Sequence, residues 1–347
     1  MLMLVVCGSR ATNGQQKLTK GATTFPADVD DFVARVSSSS PEVSADLLIR
    51  IAQSKLITDK KRKLTLLEEA YQRGSDAQKK LRMKRWTGPV DTPSGYLSAA
   101  YDLELDEVSI KIRAVRTMLN LDATRGRELF VQIPRLKLLP LSCADDLGYE
   151  LSSFYQTLKE VQQKSFTPKE MSEGNGLRFI QTYIANIESP AQIAPVVNLI
   201  ADSDLTPSEL NVLLSTLVSA LKGIQDDPKS FGLSMTSGGL ANSFQKLITK
   251  SRDNDIDSAP LLNAFKGYFL RELNVQCPDM RVGSEQKNPL QVEFLRVNKL
   301  FVNSISEDEL KAQIGERSDE TPFWVSQESR SLLMKVKRLR FGNGEQL

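Results

Sequence analysis

Apolar residues recur at every third or fourth position along most of this chain, and the two-residue alternation of a half-buried strand is nearly absent. At 3.6 residues per turn such spacing gathers each set on one face of a helix, so the chain reads as all-α. The clearest stripes are Leu105, Val108, Ile112, Val115 and Leu119; Leu147, Leu151, Phe154, Leu158 and Val161; and Leu210, Leu213, Leu217 and Leu221. Shorter stripes keep the same period around Leu47 and Ile51, Leu64 and Tyr71, Phe244 and Ile248, Leu261 and Phe269, Leu290 and Phe301, and Leu332 and Leu339. About a dozen helices are predicted.

Three helix starts share one chemistry: Thr167-Pro168-Lys169-Glu170, Ser189-Pro190-Ala191-Gln192 and Thr206-Pro207-Ser208-Glu209. The hydroxyl caps a free amide, proline at the first position has no amide to leave unpaired, and Glu or Gln reaches back to the cap residue. The short spacing between these starts predicts antiparallel neighbours. Loops are predicted at 87–94, 134–142, 225–239 and 274–289, where proline and glycine interrupt the period. Antiparallel hairpins stacked in this way predict a right-handed superhelix, an α-solenoid-like array, with a compact multi-helix bundle as the alternative. Residues 25–347 read as one continuous array with a soft division at 134–142. Residues 1–24 read as a disordered lead or the remnant of an export signal.

Within this array, Ala99 to Pro134 reads as two helices joined at Leu121-Asp122, with Ala114 before the turn, Ala123 and Gly126 after it, and Pro134 closing the unit. That arrangement resembles a degenerate tetratricopeptide-type hairpin, although it lacks the leading Trp and the Leu-Gly pair of that pattern. The whole chain is similar to divergent, uncharacterised bacterial helical-repeat proteins, many of which carry an export signal. The resemblance implies a fold and an address but no reaction.

Composition narrows the chemistry. The chain has no histidine, which excludes Ser-His and Cys-His hydrolases and histidine-bearing zinc sites. Its three cysteines cannot complete a four-cysteine metal site. With 45 Lys plus Arg against 43 Asp plus Glu, the net charge of +2 advertises no polyanionic partner. No stretch reaches the roughly 18 uninterrupted apolar residues of a membrane span, so no integral membrane segment is expected. Met1 to Val6 is apolar but short, and Leu4-Val5-Val6-Cys7 is similar to a lipoprotein cleavage box with Val6 where a small residue belongs. Exported (periplasmic or secreted) and cytoplasmic locations fit equally. Export would leave Cys143 and Cys277 as an even pair, a candidate disulfide that a reducing cytoplasm would not keep.

The densest basic region comprises Lys60, Lys61, Arg62 and Lys63, then Lys79, Lys80, Arg82, Lys84 and Arg85 beside Trp86. A nucleic-acid groove needs such cations on one face. Glu68, Glu69 and Asp76 interrupt this set, and helical spacing spreads it round the solvent side, so it reads as a solvated face. Asp253, Asp255 and Asp257 open like a calcium loop, but Ser258 replaces the required glycine and Ala264 the required glutamate, so a capped turn fits better. Gly174-Asn175-Gly176 and Ser237-Gly238-Gly239 lack a phosphate-loop context and read as turns or caps. Ser243 and Lys246 lie a helical turn apart, a spacing expected by chance in this composition. No motif names a cofactor. The reading is therefore a non-catalytic helical-repeat scaffold that binds protein or peptide on a concave surface. The alternative is an all-α enzyme using carboxylate, Lys or Arg chemistry.

Overall fold

The computed structural model describes residues 25–77, 103–133, 136, 138–141, 149, 151–236, 239–273 and 289–306. Among them every regular element is helical: fourteen α-helices and one 3-10 turn. In chain order these are α1 (Phe25–Val36), α2 (Pro41–Gln53), α3 (Lys60–Ser75), α4 (Glu107–Leu119), α5 (Ala123–Val131), α6 (Ser152–Ser165), α7 (Pro168–Ser172) and α8 (Asn175–Ala185). After the 3-10 turn Pro190–Gln192 come α9 (Ile193–Asp202), α10 (Pro207–Gly223), α11 (Pro228–Thr236), α12 (Leu240–Asp253), α13 (Ala259–Leu273) and α14 (Pro289–Leu300).

Local chemistry sets many of these ends. Thr167 Oγ1 accepts the Glu170 amide at 3.2 Å while Glu170 accepts the Thr167 amide at 2.7 Å. Thr206 and Glu209 repeat the exchange at 3.3 and 2.9 Å. Asp59, Asp106 and Asp122 cap α3, α4 and α5 one way only, their carboxylates accepting amides of the first turn. The segment between the first two proline starts holds two helices, because Gly174 adopts φ 74° and breaks α7 from α8. A left-handed residue costs glycine little and turns the chain within one residue.

One predicted loop is corrected. Residues 225–239 contain α11, started by Pro228 at the first helical position after Asp227, whose carboxylate accepts the Ser230 amide at 2.9 Å. Tertiary packing holds this short helix: Phe231 is buried with its ring centroid 6.1 Å from Tyr268 and 5.7 Å from Phe269.

The main helix contacts join elements close in chain order. Helices α2, α4, α6, α9, α12 and α14 touch in succession, as do α8, α10 and α13. Tyr71 in α3 donates to the Leu129 carbonyl in α5 at 2.8 Å, and Phe130 in α5 lies 6.1 Å from Phe179 in α8. The buried side chains form one connected cluster from Val33 to Ile305, which includes Leu136 and Leu138 of the proline-bounded connection. Small residues permit the closest crossings. A Cβ on Gly126 would meet the Leu119 side chain at 2.7 Å, and Ala114 is fully buried. No helix among the described residues is long and apolar enough to cross a membrane.

Candidate functional site

A concavity among the described residues lies where the end of α5 meets α6 and α8. Val131, Gln132 and Ile133 continue from α5, and Leu136 follows. Phe154 and Tyr155 come from α6, and Phe179, Thr182, Tyr183 and Asn186 from α8 and its C-cap. Gln192 closes the set, which encloses about 380 Å³.

Each wall has a local cause. Phe179 and Tyr183 stand four residues apart, hence on one face of α8, with centroids 5.3 Å apart. The rotation of that face is set by Gly176, where a Cβ would lie 2.5 Å from Met171 Sδ. Behind the cleft, the buried Phe130 ring lies 5.3 Å from Phe154 and 5.6 Å from Tyr183, so the aromatic set is a packed unit. Gln192 joins the cap to the cleft. Its Oε1 accepts the amides of Glu188 (2.8 Å) and Ser189 (3.0 Å), and its Nε2 donates to Tyr155 Oη at 2.9 Å. Burial drives the Tyr155 phenol far above its ordinary range, only partly offset by the Gln192 bond, so it stays neutral.

The described lining contains four aromatic rings, aliphatic side chains and neutral hydrogen-bonding groups, with no Lys, Arg, Asp or Glu. Such a site selects by shape and polarity, and favours an uncharged apolar group because a charge there would lose hydration without a counter-ion. A second groove of about 570 Å³ adjoins it, sharing Val131, Gln132 and Phe179 and adding Arg127, Glu128, Phe166, Glu170 and Asn175. There the Arg127 guanidinium lies 4.5 Å over the Phe166 ring and pairs with Glu170 at 2.9 Å. The Thr167 amide and hydroxyl, then Arg127, hold the Glu170 carboxyl below its ordinary range.

The residues singled out from sequence fall elsewhere. Lys60 to Lys63 form the first turn of α3, capped by Asp59; Arg62 pairs with Asp30 and Lys63 donates to the Ser54 carbonyl at 3.2 Å. Lys79, Lys80, Arg82, Lys84, Arg85, Cys143 and Cys277 lie outside the described residues. Asp257 accepts the Ala259 amide at 2.9 Å, a capping contact at the start of α13. Ser243 and Lys246 do not pair: Ser243 donates to the Gly239 carbonyl at 2.7 Å and Lys246 bonds Asp202. No group of three or more His, Cys, Asp or Glu among the described residues could hold a metal ion. Of the cleft residues, Phe154 in its apolar stripe, the Phe179/Tyr183 spacing and the Gln192 cap signal were present locally in the sequence.

Compared with protein-family models, curated proteins and solved structures, the chain matches none of them.

Proposed function

We propose that this protein is a non-catalytic helical-repeat scaffold that holds an extended segment of a partner protein, with the cleft between α5, α6 and α8 as its anchor pocket. The observation that carries the reading is the cleft itself: a preassembled aromatic wall, neutral amide groups and a continuing groove, the arrangement that seats one apolar side chain while the adjacent backbone runs on. The ordered contacts support a superhelical array. One row runs α2, α4, α6, α9, α12, α14 and a second runs α3, α5, α8, α10, α13, as expected for stacked hairpins that bury their faces against neighbours.

The enzyme reading has one specific observation behind it, the buried Glu272 carboxyl raised to about 7 by burial and then by Asp226. Glu272 lines neither the cleft nor the groove that adjoins it.

Panning a random peptide library against the wild type and against Thr182→Trp, which fills the cleft mouth from an exposed position, tests the reading. Peptides retained by the wild type and lost from the variant, at equal helical circular dichroism, are expected. A library that yields no peptide sensitive to Thr182→Trp overturns it.

A further inference from the structure

The row α2, α4, α6, α9, α12 carries a polar ladder that the cleft does not use. In α2, Asp46 pairs with Arg50 at 2.8 Å and also bonds Arg113 of α4, while Gln53 donates to Thr117 at 2.9 Å. Between α4 and α6, Arg116 pairs with Glu160 at 2.7 Å, and Lys164 bonds Asn120 at 3.2 Å and Glu160 at 3.3 Å. Between α6 and α9, Lys159 donates to the Asp202 carbonyl at 2.5 Å. From α12, Lys246 pairs with the Asp202 carboxylate, and Lys250 donates to the Ile200, Ala201 and Ser203 carbonyls at the end of α9. In α2 and α12 the contributing side chains fall at intervals of three, four or seven residues, hence on one face; in α6 Glu160 and Lys164 are four apart, while Lys159 lies round the helix toward α9. Across α2, α4 and α6, Gln53, Arg113, Arg116, Thr117, Glu160 and Lys164 line an open groove of about 470 Å³.

Charge and depth are unequal along this face. The residues so joined include seven cations, Arg50, Arg113, Arg116, Lys159, Lys164, Lys246 and Lys250, against Asp46, Glu160 and Asp202 together with Asp204, whose charge acts on Lys250. Across α2, α4 and α6 the acids lie underneath: the side chains of Asp46 and Glu160 are 15% and 18% exposed, whereas Arg50, Arg116 and Lys164 are 64%, 38% and 42% exposed. There a partner meets the cations first; at the α9–α12 end Asp202 is 44% exposed beside Lys246 at 55%. Burial, against the pull of Asp204 and Asp202, lowers the Lys250 ammonium, with Lys159 and Lys246 adding repulsion.

We infer that this ladder is a docking surface for an extended acidic polypeptide segment, in which carboxylates spaced three residues apart meet successive helices. Packed helices stand about 8–10 Å apart, and an extended polyproline-II-type segment has three residues per turn and rises about 3.1 Å per residue, so every third side chain falls on one course and reaches the next rung. Five rungs span about a dozen residues. Arginine forks accept carboxylates in two-point contacts, and Gln53, Thr117 and Asn120 can bond the peptide backbone between them. Nucleic acid fits less well, because none of the ladder side chains is aromatic and base stacking would fall to the arginines at one end alone. The inference rests on the scaffold reading but uses none of the cleft's lining residues.

Fluorescence anisotropy with a labelled peptide of about fifteen residues, glutamate at every third position and serine or threonine between, tests it. The matched glutamine peptide and a single-stranded oligothymidylate are the controls. The wild type is expected to bind the glutamate peptide at least about tenfold more tightly than the glutamine peptide, with affinity falling as salt rises. Neutralising three exposed rungs together, Arg50→Gln, Lys164→Gln and Lys246→Gln, is expected to weaken it by about tenfold or more, while Thr182→Trp leaves it unchanged. Equal binding of the two peptides, tighter binding of the oligonucleotide, or an unaffected triple variant overturns the inference. Should the triple variant lose helicity, the wild-type salt dependence decides, and a flat response overturns it. Loss of peptide binding in Thr182→Trp alone would instead support the cleft and remove the ladder, so the two readings fail separately.

Discussion

The buried carboxylate of Glu293 in α14 accepts the backbone amide of Ala241, in the first turn of α12, at 2.9 Å. A helix begins with amides that have no partner in their own turn and a partial positive charge, and here a side chain 52 residues away supplies the missing acceptor. Leu240 and Ala241 are buried, so water is poorly placed to substitute. Glu293→Ala is expected to destabilise the fold by about 2–3 kcal/mol, the scale of a hydrogen bond to a charged group plus an orphaned amide. Glu293→Gln keeps the acceptor and is expected to recover part of that loss. Urea unfolding of both variants checks the order, and equal stability of Glu293→Ala and wild type would remove the claim.

Two glycines in helices make opposite predictions. A Cβ on Gly74 of α3 would lie 2.8 Å from Ile110 Cγ2, at the crossing with α4, whereas nothing lies within 4 Å of a Cβ on Gly267 in α13. Gly267→Ala is expected to stabilise by about 0.5–1 kcal/mol through helix propensity alone. Gly74→Ala gains the same propensity but must displace a fully buried isoleucine, and overpacking of about 1–3 kcal/mol wins. Thermal unfolding of the pair checks the signs.

Glu272 predicts a pH dependence. Its side chain is fully buried, the Asp227 backbone offsets that burial only weakly, and Arg271 lies 3.9 Å away. Burial, then the charge of Asp226, pushes it up to about 7 against the opposing Arg271. Below the ordinary glutamate range, folded and unfolded chains both hold the proton. As pH rises from there, the unfolded chain releases it first, so stability falls until the folded value near 7 is passed. At about 1.4 kcal/mol per unit the total is roughly 3 kcal/mol. Glu272→Gln is expected to abolish this fall and to be more stable than wild type at pH 8. Urea midpoints of wild type and variant that keep a constant separation from acid to neutral pH would count against it.

What the sequence disclosed is set by distance along the chain. Thr167, Ser189 and Thr206 signal their helices because every group in a capping box lies within four residues. Ala114 and Gly126 mark a crossing because the two helices are adjacent. The α11 helix escaped notice because Pro228 to Thr236 offers only Phe231 and Met235 as an apolar stripe, and the side chains that bury Phe231 come from α13. The cleft was hidden for the same reason: Phe154, Phe179 and Gln192 stand on three elements. The ladder was still less legible, since Arg116 and Glu160 are 44 residues apart and each alone is an ordinary surface charge.

Gln192 bears the closest link between fold and cleft. Its side chain satisfies two amides at the turn before α9 and the phenol of Tyr155 in the cleft wall, all while buried. Truncation leaves three polar groups to find water in a poorly hydrated site, so Gln192→Ala is expected to cost about 2–4 kcal/mol and to loosen Tyr155. Gln192→Glu can still accept both amides, and the Tyr155 hydroxyl can turn to donate to it, but it buries a charge. Tyr155→Phe removes only the phenol and leaves the turn intact. The expected order of stability is therefore wild type, Tyr155→Phe, Gln192→Glu, Gln192→Ala, read from urea midpoints. Cleft-dependent peptide binding is expected to fall in Gln192→Ala even at temperatures where it remains folded, because the Tyr155 wall is no longer fixed from behind. Binding that survives unchanged in that variant would show that the capping residue serves the turn alone.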